Sequence, residues 1–121
     1  MTIFRSFLEV QNALKDSSFS CVDVIENYLK RISENRDLNA FIEVYIDEAL
    51  SQARIVDQKI EDGTSGKLAG MVVGIKDNLC HKNHKVSAAS KILHGFESLF
   101  TATSVQRLLD EDAIIIGRLN C

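Results

Sequence analysis

Apolar residues return along the first part of the chain at helical intervals. Ile3, Phe7, Val10 and Leu14 stand 4, 3 and 4 positions apart, Phe4 and Leu8 widen the stripe, and polar residues fill the opposite side. Asp16, Ser17 and Ser18 break the pattern. Ser20 with Asp23 then reads as a capping box that opens a second helix, with Cys21, Ile25, Tyr28, Leu29 and Ile32 on one face. The short connection between the two stripes predicts an antiparallel helical hairpin. Ala40 to Tyr45 is rich in aromatic and β-branched residues and predicts a short strand. Asp47 and Glu48 favour a helix start after it. Ile46, Ala49, Ala53, Val56 and Ile60 form that helix's stripe, and Gly63 suits its end.

The pattern changes at Gly63-Thr64-Ser65-Gly66. Met71 to Ile75 and Ala113 to Ile116 are continuous apolar runs of strand type, without alternation. Between them the sequence predicts a polar loop around His81 to Lys85, a short helix near Ala88 to Leu93 and another helix near Ala102 to Leu109. Two parallel strands buried on both faces are expected, joined by a long connection. The whole predicts an α/β fold, in which an amino-terminal helical hairpin precedes the first strands and helices of a mixed sheet flanked by helices. Residues 1–62 make the helical region with one short strand, and residues 63–121 begin the sheet core of the same, incomplete domain.

Composition narrows the function classes. The chain has 121 residues, 45% apolar and 26% charged, as expected for one modest globular domain. Its formal charge of −3 excludes a chain built chiefly to grip nucleic-acid phosphates. No apolar run approaches the roughly 18 to 20 residues that cross a bilayer. The start, Met1 to Leu8, is amphipathic and carries no cationic stretch before an apolar core, so no secretory signal is expected there. Cys21, Cys80 and Cys121 are odd in number and widely spaced, which reads as reduced thiols in a cytoplasmic protein. The chain ends at Asn120-Cys121 directly after a strand-like run, an ending expected of a cut.

Lys76 is the leading candidate for chemistry. It follows an apolar strand, and the carboxyl ends of parallel strands face the crevice where ligands bind in α/β folds. Removing an amine from water disfavours its charged form, so a partly desolvated lysine there is a general-base candidate. The alternatives are a lysine snorkelling at a strand end, or one paired with Asp77. Cys80, His81 and His84 come nearest to a metal cluster, but zinc needs three or four converging ligands and the other thiols are far away in sequence. A polar loop with scattered histidines is the preferred reading. Cys80 is open to reading as a nucleophile or as an inert thiol.

Ser87, Ser90, Ser98, Thr101, Thr103 and Ser104 lack a Gly-x-Ser-x-Gly elbow, and Thr101 and Thr103 read as helix caps. Gly66, Gly70 and Gly74 match neither a Walker loop nor a dinucleotide fingerprint, and read as sites of close backbone packing. Phe19, Phe41, Phe96 and Phe100 lack the interleaved basic residues of a nucleic-acid platform. Asp110-Glu111-Asp112 reads as a solvated helix end.

The segment Gly66-Lys67-Leu68-Ala69-Gly70-Met71-Val72-Val73-Gly74-Ile75-Lys76-Asp77-Asn78 resembles the opening of the amidase signature family, which usually reads G-x-L-x-G-I-P-x-x-I-K-D-N. Ala89 to Leu93, Thr101 to Leu108 and Ala113 to Asn120 follow in the family's order and spacing. Leu38 to Ile42, followed by a helix, matches upstream, so the likeness spans essentially the whole chain. Val72 and Lys67 replace prolines, Asp112 stands where glycine is common, and Arg118 and Leu119 replace lysine and threonine.

Within the family the Lys76-Asp77-Asn78 and Ala89 to Leu93 blocks look most like the branch that serves tRNA-dependent amidation. That resemblance implies a glutamine-hydrolysing protein that works in a heterotrimer with partner subunits B and C. Ammonia would pass to the B partner, which activates mischarged tRNA with ATP and Mg²⁺, so no cofactor is expected on this chain itself. It also implies a lysine, a bridging serine and a nucleophilic serine acting in relay, and Lys76 matches the lysine. The segment holding both serines would follow Asn120, and Ser87 and Ser90 do not match them, so the 121 residues alone are expected to be inactive. Two other readings remain open: part of a stand-alone amidase of small amides, and a non-catalytic module in which the Ile3 to Ile32 hairpin docks on a partner.

Overall fold

The structure, a computed structural model, describes residues 3–121; Met1 and Thr2 of the amphipathic start lie outside the described residues. Four helices and three strands follow in the order α1 (Phe7–Lys15), α2 (Cys21–Glu34), β1 (Phe41–Val44), α3 (Ile46–Asp62), β2 (Val72–Lys76), α4 (Thr103–Asp110) and β3 (Ile114–Leu119). Single 3-10 turns lie at Arg36–Leu38 and Lys91–Leu93. The sheet order is β1-β3-β2, with β1 antiparallel and β2 parallel to the central β3. The predicted parallel pair is therefore present, and the strand before α3 closes its other side.

Helix caps set the amino-terminal region. Ser6 accepts the Glu9 N–H at the start of α1. Ser20 and Asp23 form the reciprocal capping box of α2, with the Ser20 hydroxyl accepting the Asp23 N–H at 3.1 Å and the Asp23 carboxylate accepting the Ser20 N–H at 2.9 Å. A second acceptor comes from afar. Asp57, on α3, takes the N–H groups of Cys21 and Val22 at 2.7 and 3.3 Å. Residues of α1 and α2, the two stripes of the predicted hairpin, join one apolar cluster, while the main helical neighbour of α2 is α3. Gly63 ends α3 at φ 73°, a left-handed position that glycine occupies without steric cost.

The core lies on both faces of the sheet. On one side Val10, Leu14, Cys21, Val24, Ile25, Ala49, Ala53 and Val56 of α1 to α3 pack with Ile114 and Ile116. On the other, Tyr45, Ile75 and Val105 pack with Ile115. Successive residues of β3 thus feed opposite cores, as a strand buried on both faces requires. Burial of the Cys21 thiol beside Asp57 pushes its titration far above the usual thiol range, so it is inert packing.

Several expectations are corrected. Ile3 and Leu8 are exposed at 61% and 64%, because α1 begins only at Phe7 and turns Phe7, Val10 and Leu14 to the core. No α-helix forms over Ala88 to Leu93. Ala88 and Ala89 sit at φ 50° and 58°, left-handed positions that interrupt any right-handed helix and leave one 3-10 turn. Neither Thr101 nor Thr103 caps α4, whose cap residue is Ala102; the Thr101 hydroxyl accepts the Lys82 N–H instead.

Candidate active site at the carboxyl end of β2

Lys76 ends β2 in register with Leu119 of β3, and the next pairing step is the Asp77 N–H donating to the Leu119 carbonyl at 3.0 Å. The Leu79 N–H then bonds the Lys76 carbonyl, turning the chain away from the sheet. Lys76 is exposed within these 121 residues, which corrects the expectation of partial desolvation here. It is not paired with Asp77. That carboxylate instead joins a cluster in which Asp77 and Arg118 are buried and Ser87 is half-buried.

Asp77 is the hub of the turn. Its Oδ1 accepts the Ser87 N–H at 3.1 Å and an Arg118 guanidinium N–H at 2.5 Å, while its Oδ2 accepts the Ser87 hydroxyl at 2.5 Å. Its own carbonyl takes the Ala88 N–H at 2.8 Å. Burial pushes the Asp77 carboxyl up, but the Ser87 hydrogen bonds and the Arg118 charge outweigh it and hold the group below the usual carboxylate range. Arg118 also lies 3.7 Å from Glu43, so one guanidinium ties β3 to both its neighbours' ends. The segment after Lys76 is thereby fastened at three points, which fixes where the lysine's backbone leaves the sheet. A cleft of about 280 Å³ opens beside this cluster, with Glu43, Ser87, Leu93, Phe96 and Arg118 on its walls.

A second clamp holds the other end of the β2–β3 unit. Asp112 is buried and accepts Lys59 Nζ at 2.8 Å and the Gly66 N–H at 2.7 Å, and Glu111 accepts the Lys67 N–H at 2.8 Å. The expected solvated helix end is therefore a tether between α3, the Gly66 turn and β3. Lys59 and the Gly66 N–H pull the Asp112 carboxyl below its ordinary range against the effect of burial. Asp112 sits at φ 69°, the left-handed conformation that a glycine would adopt there and that aspartate tolerates. Gly66 has no room for a side chain, since a Cβ would fall 2.6 Å from the Glu111 backbone. Its expected role in close backbone packing holds.

The histidines do meet. His81 and His84 stack with ring centroids 3.8 Å apart, and His84 Nε2 lies 2.7 Å from the Glu48 carboxylate. Glu48 enters from the first turn of α3, a contributor that no local spacing announces. Cys80 is half-buried and is not among these three converging groups.

The amidase family model matches residues 23–121. This chain belongs to the amidase signature family. It is 42% identical over 118 residues to the A subunit of the glutamyl-tRNA(Gln) amidotransferase of Pelodictyon phaeoclathratiforme, covering 97% of this chain and 25% of that protein. It is 44% identical over 116 residues to the protein of the same name from Chlorobium chlorochromatii, covering 95% and 24%. Among solved structures it resembles native peptide amidase from Stenotrophomonas maltophilia with a TM-score of 0.87 at 30% identity, over 96% of this chain and 24% of that one. The chain thus spans about a quarter of the length of the relatives it matches. Among the described residues no helix is long and apolar enough to cross a membrane.

Proposed function

We propose that these residues are the amino-terminal part of the glutamine-hydrolysing component of an amidotransferase, with Lys76 as its general base. The observation that carries this reading is the seating of Lys76. It stands at the carboxyl end of a parallel strand, on a turn locked by the Asp77–Ser87–Arg118 cluster. A base must be held in place relative to its proton donor, and a turn fastened through three elements supplies that stiffness.

In the assembled enzyme Lys76 would take a proton through a bridging serine from a nucleophilic serine, which attacks the glutamine amide and frees ammonia. Both serines belong to sequence outside these 121 residues. The same missing sequence would cover Lys76 and desolvate it, as base chemistry requires. Ammonia would then serve the conversion of Glu-tRNA(Gln) or Asp-tRNA(Asn) in the cytoplasm, with partner subunits B and C completing the heterotrimer. ATP and Mg²⁺ act through the B partner. The names of the relatives from Pelodictyon and Chlorobium favour this branch.

The test is Lys76→Ala in the full-length protein, assembled with its partners. Glutamine hydrolysis should fall by at least about a thousandfold, as expected for a member of an interdependent catalytic unit, while the unfolding midpoint stays unchanged. The 121-residue chain alone should release no ammonia. Turnover by that chain, abolished by Lys76→Ala, would overturn the proposal. The likeness to peptide amidase favours a second reading, a stand-alone amidase. Hydrolysis of peptide amides by the full-length protein without any partner would decide for it.

A further inference from the structure

His81, His84 and Glu48 lie apart from Lys76 in chemistry, and the proposed amidase reaction uses none of them. One ligand atom from each residue falls within 4.8 Å of the others. The residues come from two elements: Glu48 from the first turn of α3, and the histidines from the loop after β2.

Both ring nitrogens of His84 face oxygens, an arrangement that suits either a protonated imidazole paired with Glu48 or a neutral one holding a cation. Its Nδ1 lies 2.8 Å from the Lys82 carbonyl and its Nε2 lies 2.7 Å from Glu48 Oε2. A neutral imidazole has a single N–H, so it can donate to only one of these two oxygens. With that N–H on Nδ1, held by the carbonyl, the Nε2 lone pair faces the carboxylate, and a cation between them satisfies both. A ring nitrogen fixed by a backbone carbonyl is the usual outer support of a coordinating histidine.

The second observation is independent. His81 is 9% exposed, and its Nδ1 is buried without any hydrogen-bond partner. A buried polar atom left unpaired is costly, and it marks a place where a partner belongs. The Tyr45 ring packs at 4.7 Å against His84 and supplies an apolar wall to the site.

We propose that Glu48, His81 and His84 form a binding site for a divalent transition-metal ion of the zinc class, which ties the loop after β2 to the start of α3. Two imidazoles and one carboxylate suit zinc, with a fourth position left for water. Metal–nitrogen and metal–oxygen bonds of roughly 2.0 to 2.2 Å require the Glu48 carboxylate to back away slightly from Nε2. Glu48 is an exposed side chain on a helix surface and has room to do so.

The experiment is titration of the full chain, stripped by chelator, with Co²⁺ as a coloured probe and Zn²⁺ as competitor. One equivalent of Co²⁺ should bind with visible bands of a nitrogen–oxygen site, lack a thiolate charge-transfer band, and be displaced by Zn²⁺. Glu48→Gln, a surface change that leaves the fold intact by circular dichroism, should weaken binding at least about tenfold, and His84→Gln further. Cys80→Ser should leave binding unchanged. Absence of saturable binding, or binding that survives Glu48→Gln and disappears with Cys80→Ser, would overturn the proposal.

Discussion

On the helical side of the sheet, Val24, Ile25, Ala53, Val56 and Ile114 join one apolar cluster contributed by several helices and β3. At the carboxyl end of β2, position is instead held by Asp77, Ser87 and Arg118. An apolar layer loses stability in proportion to what is removed, because its neighbours relax partly into the space. A buried charge cluster has no such gradation. Taking away one member leaves the other in a medium that cannot solvate it. The helical layer therefore supports the fold through bulk, whereas the strand end trades that tolerance for a fixed geometry around Lys76.

The sharpest way to break this contrast is Asp77→Ala. It removes the hydrogen-bonded partner of the Arg118 guanidinium, which is 5% exposed and keeps only the longer 3.7 Å contact with Glu43, and a loss of about 3–5 kcal/mol is expected in denaturant unfolding. Replacing Arg118 by Met in the same chain should recover part of that loss, since the unmatched charge goes with it. Ile25→Ala in the helical layer should cost about 2–5 kcal/mol, set by how far the cavity collapses. Ile55→Ala, on the exposed side of α3, should stay within about 0.5 kcal/mol. A cost at Ile55 as large as at Ile25 would erase the layer distinction.

Acid should act on the clamps before the apolar layer. Asp77 and Asp112 are held below the ordinary aspartate value of 3.8 when folded, so the unfolded chain binds more protons as acidity rises. Their contribution is complete above about pH 5 and is lost progressively as pH falls through the unfolded value towards the folded ones. Unfolding midpoints measured from pH 6 to 2 should drop in that window, and Asp112→Asn should flatten part of the drop. A modest loss is expected from Ser20→Ala, about 1 kcal/mol by thermal unfolding, because one cap hydrogen bond is removed while Asp57 still accepts at the helix start.

These same contrasts explain what could be read in the residues. The stripes of α2 and α3, the Ser20–Asp23 box, Gly63 and the runs that become β2 and β3 are local signals, written within a few positions. The clamps are not local. Asp77 meets Arg118 across 41 positions, and Asp112 meets Lys59 across 53, so both look like ordinary charged residues until the sheet brings them together. Glu48 meets His84 across 36 positions for the same reason. The missing helix at Ala88 to Leu93 differs again. Alanine favours helix intrinsically, yet the Ser87 and Ala88 anchors on Asp77 draw the backbone into left-handed turns. At Lys76 the strand end was legible from the apolar run, while its exposure depends on what packs above it.

The Asp57 carboxylate has a consequence for how the chain assembles. The start of α2 carries two seals of different reach: Ser20 acts from three positions away, and Asp57 from thirty-six. The near one is available as soon as the helix nucleates, whereas the remote one exists only once α3 has docked. Loss of the first should slow refolding, and loss of the second should chiefly hasten escape from the native state. One helix end thus records both an early and a late event in the same folding trajectory.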